Sequence, residues 1–221
     1  MTPMRVIARL ANGFASNDPW SPSLDGILAF WHMREKLGAE AFSATSADSS
    51  QMAPIIGLPL AVKRFGDQWW YQCASPRYEA RAEFLRYFHR RFDVDEAARH
   101  LQPQRGRVST KAGPFKTYRL TARIIVCDRI EWDAVGDATE VRRLLRRCSA
   151  VGQKIGQGNG RVLRWDVLPV DAAADQWPAI DKRPLPVEYA ASLGIDGPEM
   201  LWGLRPPGRL VQNQVICVMP W

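Results

Sequence analysis

Residues 137–170 read DATEVRRLLRRCSAVGQKIGQGNGRVLRWDVLPV, and this stretch decides the fold. Asp137 and Glu140 have the spacing of a capping pair that begins a helix. The buried stripe of that helix would consist of Val141, Leu144, Leu145 and Cys148. Four closely spaced glycines follow the helix, and residues 161–170 are rich in the apolar residues of a strand. The stretch therefore predicts a helix, a glycine-rich loop and a strand, in that order.

The N-terminal part predicts a strand followed by a helix. Residues 4–11 carry β-branched side chains without a helical stripe, and they end at an Asn-Gly turn signal. Ser23 is a good N-cap for a helix over 24–37, in which apolar residues recur every three to four positions. Gly38 is placed to end that helix.

The middle of the chain predicts a mixture of strands and helices. Residues 59–74 have the pattern of a hairpin that turns at Gly66-Asp67. Residues 78–92 have an apolar stripe at helical spacing, so we expect an amphipathic helix there, with a short capped helix over 93–101. Residues 104–114 form a basic loop without periodicity, and 115–132 predict one long strand.

Without its insertions this order is that of a ferredoxin-like (RRM-like) βαββαβ core, an α+β fold with an antiparallel sheet and helices on one face. We expect residues 1–170 to form this domain, with a helical and basic-loop insertion at about 75–114. Residues 171–221 are proline-rich and are expected to be a C-terminal extension packed on the same domain. The fold alone does not indicate a function.

The positive charge of the chain is concentrated in its middle. The net charge is +7, but residues 75–164 hold 20 basic and 10 acidic side chains, while 1–74 are neutral and 165–221 carry a net charge of −3. Arginine supplies 24 of the 30 cations. Because guanidinium groups bind phosphates bidentately and stack on bases, this zone favours a nucleic-acid partner. The alternative is that GC-rich coding alone selects arginine.

The composition argues against several other classes. The four cysteines stand singly and there are only three histidines, so neither a zinc module nor a disulfide scaffold is expected. No apolar run reaches the ~18 residues of a membrane span, and the N-terminus lacks the features of a signal peptide. We therefore expect a soluble, cytoplasmic protein without a metal, cofactor or membrane partner.

The glycine loop does not match a nucleotide-binding loop. It lacks the Gly-Lys-Ser/Thr of a P-loop, and it leaves a helix C-terminus rather than opening a helix. The helix dipole is negative there, so a phosphate would need nearby cations such as Arg147, Lys154 and Arg161. The helix also carries two pairs of arginines at i, i+4 spacing, which are Arg142 with Arg146 and Arg143 with Arg147. The two members of each pair repel each other unless an anion lies over them. The alternative is that the loop is only a tight connector.

The glycine loop, read as Gly152-xxx-Gly156-x-Gly158-x-Gly160-Arg161-Val162, resembles that of the RAMP (repeat-associated mysterious protein) superfamily of CRISPR–Cas proteins. The opening strand and the LDGILA helix are similar to those of its Cas five branch, particularly the small type IV version. The resemblance covers residues 4–37 and 137–170.

This resemblance implies a non-enzymatic subunit that binds the 5′ handle of a CRISPR RNA (crRNA) and caps an RNA-guided effector complex with backbone and large or small subunits. The RNA-binding residues would be Arg142, Arg143, Arg146, Arg147, Gly152, Lys154, Gly156, Gly158, Gly160 and Arg161. A second basic set could contact RNA or target DNA, or could be a solvated loop: Arg105, Arg107, Lys111 and Lys116.

Two other functions stay open. Some RAMP relatives cleave crRNA with a histidine, and His32 lies off the apolar stripe of its helix, where an imidazole could reach solvent; an incidental surface histidine is the alternative. The acidic, proline-rich tail could instead make the chain a protein–protein adaptor.

The run Trp69-Trp70-Tyr71 could stack bases on one side of its strand, although core packing is the simpler role.

Overall fold

A computed structural model describes residues 1–38, 57–93, 96, 99, 109–111, 113, 115–172 and 182–220. The described residues form three helices and a set of antiparallel sheets. The predicted α+β class is confirmed.

The central sheet is built around the first strand. This strand, β1 (Thr2–Leu10), lies between β7 (Arg129–Gly136) and β8 (Val162–Pro169) and is antiparallel to both. Beyond β7, residues 73–77 continue the sheet through antiparallel bridges from Cys73 to Ala134 and from Arg77 to Glu131. The chain thus fills the four strand positions of a βαββαβ core.

Alternation along β1 decides which sheet face is buried. Met4, Val6 and Ala8 are fully buried and Leu10 nearly so, because strand side chains alternate between the two faces. These residues belong to the main core cluster, which also contains Trp132 of β7 and side chains of both helices described next. Each large apolar side chain in this core stabilises the fold by about 1.5–3 kcal/mol.

Two helices contribute to that core, and both were predicted. Helix α1 (Leu24–Leu37) begins at Ser23, whose hydroxyl accepts the Gly26 N–H, and it ends at Gly38. Helix α2 (Ala138–Leu145) begins at Asp137, whose carboxylate accepts the N–H groups of Thr139 and Glu140. The predicted stripe of α2 is buried: Val141, Leu144, Leu145 and Cys148.

The predicted hairpin is also confirmed. Strands β3 (Val62–Phe65) and β4 (Gln68–Tyr71) pair antiparallel around the Gly66-Asp67 turn. Tyr71 packs in the main core with Trp69 against it, whereas Trp70 is fully buried in a second cluster. The rings of this aromatic run therefore serve core packing. Because strand side chains alternate between the two faces, neighbouring rings of the run pack into two different cores.

The second cluster joins this hairpin to the C-terminal part of the chain. Strands β9 (Leu185–Pro186), β11 (Gln214–Val218) and β10 (Glu199–Gly203) form an antiparallel sheet in that order. The short helix α3 (Val187–Ser192) adds Tyr189, whose ring centroid lies 5.1 Å from that of Trp70. Residues 182–220 thus pack directly against β3 and β4.

The helix predicted over 78–92 is wrong. Residues Ala82–Arg90 form strand β5, which pairs with β6 (Tyr118–Val126) along its whole length. The two-residue strand β2 (Phe14–Ala15) pairs with the other edge of β6. The apolar residues of β5 fit a helical stripe as well as an alternating strand, and the hydrogen bonds of a distant partner strand decide between them. The short helix over 93–101 and the loop 104–114 lie largely outside the described residues.

The single long strand predicted over 115–132 is also wrong. The chain breaks at Cys127-Asp128, so that β6 belongs to the β2–β6–β5 sheet and β7 to the central sheet. Composition does not reveal this break, because apolar and β-branched residues continue on both sides of it. In the part of the chain that the structure describes, no helix is long and apolar enough to cross a membrane.

Candidate nucleic-acid interface

The glycine loop is a closed hairpin between α2 and β8. At its base, Ala150 and Arg161 form an antiparallel bridge. The Val151 N–H donates to the Gly160 carbonyl at 2.9 Å, and the Val162 N–H donates to the Ser149 carbonyl at 2.8 Å. These bonds hold the two ends of the loop together, so that residues between 152 and 159 project from the sheet.

The loop is also docked on the turn that joins β1 to β2. The Gln153 N–H donates to the Ala15 carbonyl at 2.8 Å, and the Gly160 N–H donates to the Gly13 carbonyl at 2.9 Å. The side-chain amide of Asn159 is buried and donates to the Lys154 carbonyl at 3.2 Å. These hydrogen bonds tie the backbone of the loop to the β1–β2 turn and to itself.

The four glycines of the loop divide into two classes. Gly160 has φ +72°, and a Cβ there would overlap the Val151 carbonyl oxygen. Gly152 has φ +83°, and a Cβ there would lie 2.7 Å from the Ala15 carbonyl oxygen. The fold itself requires glycine at these positions. A methyl group added at Gly156 or Gly158 would meet no atom of the described residues within 4 Å, and of these two glycines Gly158 alone has a positive φ. Neither backbone angle nor space requires glycine at position 156.

Most of the arginines in and just after α2 already have partners within the chain. Arg142 donates to the Val167 carbonyl at 2.8 Å. Arg143 binds Glu140 and Glu35, each at 2.9 Å, and Arg147 lies 3.4 Å from Glu35. The Glu35 carboxylate of α1 is thus the anion that relieves the repulsion between Arg143 and Arg147.

The cations without such partners lie at and beside the loop. Arg146 and Arg161 are exposed, and neither has an ion pair among the described residues. Lys154, at the loop's centre, has its ammonium group 5.6 Å from the ring of Phe88. Of the ten predicted RNA-binding residues, Arg146, Lys154 and Arg161 have charged groups with neither a carboxylate nor a carbonyl partner in the described part of the chain.

The second predicted basic set is only partly described. Lys111 and Lys116 are exposed and have no ion pair within the described residues. Arg105 and Arg107 lie outside the described residues.

An apolar groove of about 450 Å³ runs between α1 and the glycine loop. Phe30, Trp31 and Arg34 line it from α1, and Gly152 and Ile155 line it from the loop. The guanidinium of Arg34 lies 5.6 Å from the Trp31 ring centroid, and Ile155 is 53% exposed. Because its walls combine aromatic rings with a stacked guanidinium, the groove suits flat unsaturated rings.

His32 is half-buried, and its Nε2 atom is buried without a hydrogen-bond partner among the described residues. Burial lowers the pKa of His32 from 6.5, and the positive charges of Lys36 and Arg143 lower it further, although Glu35 acts in the opposite direction. The imidazole is therefore neutral near pH 7. This differs from the solvent-reaching histidine that the helix pattern predicted.

A charged sheet face is a feature that sequence reasoning missed. Five arginines and three acids alternate on the face opposite the helices: Arg5, Arg9, Arg77, Arg129, Arg164, Glu131, Asp133 and Asp166. Burial acts to raise the pKa of Asp166, but hydrogen bonds from Arg9 and Arg164 outweigh it and lower that pKa below 3.8. The signal was present as period-two spacing within β1, β7 and β8.

The β5–β6 ribbon was missed for a different reason, since β5 had been predicted as a helix. Phe84, Leu85 and Tyr87 are exposed on it. The Arg119 guanidinium lies 4.0 Å from the Tyr87 ring centroid. The ribbon therefore presents aromatic and cationic groups together, a combination typical of single-strand nucleic-acid binders.

Among the described residues no group of three or more histidine, cysteine or acidic side chains could hold a metal ion. All four cysteines are free and buried, and burial raises the pKa of the Cys73 thiol to about 12. These thiols are therefore protonated and unreactive near neutral pH.

The comparisons with known proteins give one family. A protein-family model described as "Csf3: CRISPR type IV associated protein Csf3" matches residues 2–219. No curated protein matches the chain significantly. Because the family model spans nearly the whole chain, the chain belongs to the Csf3 family of CRISPR type IV associated proteins.

Proposed function

We propose that this type IV CRISPR-associated subunit is a crRNA-binding structural component of an effector complex, and that it holds the 5′ handle of the crRNA at one end of that complex. Family membership supports the association with a CRISPR complex. The RNA contact and the handle are our inference, and they rest on the glycine loop, the α1 groove and the similarity of both segments to the RAMP superfamily.

The observation that carries the proposal is the open space around Gly156 in the outer half of the glycine loop. Gly156 faces open space in a conformation that does not require glycine, whereas Gly152 and Gly160 are fixed by the fold. A residue without a side chain at an exposed tip permits a phosphodiester backbone to approach the loop's N–H groups. Arg146, Lys154 and Arg161 supply the neighbouring positive charge, and the attraction between cations and phosphates provides a large share of the affinity of proteins for nucleic acids.

The groove between α1 and the loop would then hold bases. Phe30 and Trp31 offer ring faces within reach of a strand that lies on Ile155 and Gly152. Stacking on aromatic side chains contributes about 1–3 kcal/mol per base, and single-stranded RNA exposes its bases for such contacts. One strand of RNA would then place its phosphates on the glycine loop and its bases in the groove.

We further propose that the chain binds RNA without cutting it. A general acid in RNA cleavage needs a protonatable group within reach of the leaving oxygen. The pKa of His32 is lowered and its Nε2 atom is buried, so the imidazole is a poor proton donor at neutral pH. A labelled repeat RNA incubated without metal tests this directly: we expect no cleavage, and cleavage that His32→Ala abolishes would overturn the proposal.

The remaining surfaces suit the other partners of a subunit that caps a complex. The exposed apolar and cationic side chains of the β5–β6 ribbon, such as Leu85 and Arg86, could contact a neighbouring subunit. Lys111 and Lys116, which precede β6, could contact target DNA.

The experiment is a titration of labelled repeat RNA, followed by fluorescence anisotropy at several salt concentrations. We compare the wild-type chain with the triple variant Arg146→Ala/Lys154→Ala/Arg161→Ala. For single strands the slope of log K against log[salt] changes by about 0.7 per phosphate contact, so the triple variant is expected to bind more weakly with a slope shallower by about 2.

The matched control is Arg9→Ala/Arg129→Ala/Arg164→Ala, which also removes three exposed cations but on the charged sheet face. We expect it to retain the wild-type salt slope. Equal affinity and slope in wild type and the triple variant would refute the proposed interface, and an equal loss in the control would show that only net charge matters.

A further inference from the structure

A second cavity of about 450 Å³ lies beside the first turn of α1. Its walls come from the segment 18–26, from residues 73–75 after β4, and from the C-terminal segments 183–184 and 202–209. Residues that are distant in sequence thus meet around one space, and three of them are arginines.

Arg183 is the most buried of these arginines, at 6% exposure. One terminal nitrogen donates to the Tyr71 carbonyl at 2.6 Å, and the other donates to the Leu204 carbonyl at 2.7 Å. Its Nε is buried and has no hydrogen-bond partner among the residues that the structure describes. Buried donors in folded proteins nearly always have an acceptor, so an unfilled N–H on a buried cation marks a position for a further acceptor, and an anion there would make the stronger, charge-assisted bond.

Arg205 repeats this pattern in the wall of the same cavity. It donates to the Trp69 carbonyl at 3.1 Å, and its guanidinium lies 4.5 Å from the centre of the Trp69 ring. Its Nε is also buried, without a hydrogen-bond partner in the described part of the chain. Burial lowers the pKa of Arg205, so the protein keeps this cation at a cost in solvation. Arg209 also lines the cavity, is exposed, and has no ion pair among the described residues.

Two carboxylates also line the cavity, and both are engaged. Asp25 accepts the Gly26 N–H at 2.8 Å and lies 3.6 Å from Arg183. Asp18 accepts the Trp20 N–H at 3.0 Å. Three guanidinium groups against two carboxylates leave one positive charge, and the N-terminus of the 14-residue helix α1 adds to it. The charge balance suits one anionic group.

The cavity also has room and rings for more than an inorganic ion. Trp20 and Trp202 line it and meet edge to face, with ring centroids 5.6 Å apart. Its volume lies in the range of small-molecule sites, which combine apolar walls with a few placed polar groups. Arginine donors and indole rings side by side match a phosphate joined to a base.

We propose that this cavity binds one nucleotide, with its phosphate on Arg183, Arg205 and Arg209 and its base against the indole rings. Ser23 and Gly26 line both this cavity and the α1 groove, so the two spaces adjoin at the first turn of α1. A nucleotide of an RNA strand that lies along the groove would reach the cavity, and this source of the nucleotide rests on the proposed function. A free nucleotide is the other source of the same chemistry.

The test is isothermal titration of the full chain with AMP, inorganic phosphate and adenosine, in the absence of RNA. We expect AMP to bind more tightly than phosphate, and adenosine to bind at least tenfold more weakly than AMP because it lacks the anion. Arg209→Gln and Arg205→Gln should each weaken AMP binding at least tenfold. Arg129→Gln, an arginine outside the cavity, is the control and should leave AMP binding unchanged. Because Arg209 is exposed, its variant is expected to fold normally.

The same variants then separate the two sources of the nucleotide. If the nucleotide belongs to bound RNA, saturating AMP and Arg209→Gln both weaken binding of repeat RNA; if it is a free nucleotide, neither does. Failure of wild type to bind AMP or phosphate, or equal AMP binding by wild type and both variants, would overturn the proposal. Since the AMP titration contains no RNA, its outcome is independent of whether the glycine loop binds crRNA.

Discussion

Two alanine substitutions in one loop separate the glycine that the fold requires from the glycine that the proposed RNA site requires. At Gly160 the left-handed backbone costs an L-residue about 1–2 kcal/mol. The added methyl group would also overlap the Val151 carbonyl, so the chain must move and weaken two hydrogen bonds of 2.9 Å, each contributing about 1 kcal/mol. Gly160→Ala should therefore lower the free energy of unfolding by about 3–4 kcal/mol.

Gly156→Ala should behave in the opposite way. Its methyl group meets nothing within 4 Å, and its φ is not left-handed. Because alanine restricts the unfolded chain more than glycine does, the substitution should stabilise the fold by about 0.4–1 kcal/mol. The same methyl group stands where the RNA backbone is proposed to approach, so we expect a loss of RNA affinity of about tenfold, or about 1.4 kcal/mol.

The assays are thermal unfolding followed by circular dichroism, and RNA binding by anisotropy. For a chain of this size 1 kcal/mol corresponds to about 2–4 °C, so Gly160→Ala should lose about 10 °C while Gly156→Ala loses none. A Gly156→Ala protein that unfolds at the wild-type temperature and binds RNA with wild-type affinity would refute the argument from the loop tip. Equal destabilisation by both substitutions would refute the division of the glycines.

Three further predictions concern the core, the sheet face and the first helix. Leu144→Ala, at a fully buried position of α2, should cost about 2–5 kcal/mol in denaturant unfolding, and a cost below 1 kcal/mol would contradict the packing described. Asp133→Asn should cost about 1–3 kcal/mol, because it leaves Arg5 and Arg77 without the buried carboxylate that lies 2.8 and 2.6 Å from them; unchanged stability would contradict this role. Because the pKa of His32 is lowered in the folded state, the neutral imidazole contributes its full stability above pH 6.5, and this contribution is lost as the pH falls towards the lowered pKa. The free energy of unfolding of His32→Gln should therefore depend less on pH below 6.5 than that of the wild type, and the same pH dependence in both proteins would contradict this.

The parts of the fold that local patterns encode could be predicted from the sequence. Both long helices were located because Ser23 and Asp137 cap them and their apolar stripes have helical spacing. The hairpin at Gly66-Asp67 was located for a similar reason. Strand β5 could not be located, since its hydrogen bonds are to residues of β6 that lie 28 to 44 positions further along the chain, and its residues are compatible with either period.

The candidate site, too, could be predicted only in so far as local sequence patterns encode it. The glycine loop and its cations were found from spacing, but the sequence does not reveal that Glu35 of α1 binds Arg143 of α2 and Arg147 just after it. The cavity with Arg183 and Arg205 was missed altogether, because its walls come from parts of the chain that only the tertiary fold brings together. Both features depend on long-range contacts, which no local pattern records.

The most direct measurement is to purify the chain from cells that express a CRISPR array and to sequence the RNA that it retains. We predict a discrete small RNA whose molecules share one 5′ sequence, with much less retained by the Arg146→Ala/Lys154→Ala/Arg161→Ala variant. Recovery of no RNA, or of fragments with random 5′ ends in equal amounts from both proteins, would contradict the claim that this chain holds the 5′ handle of a crRNA.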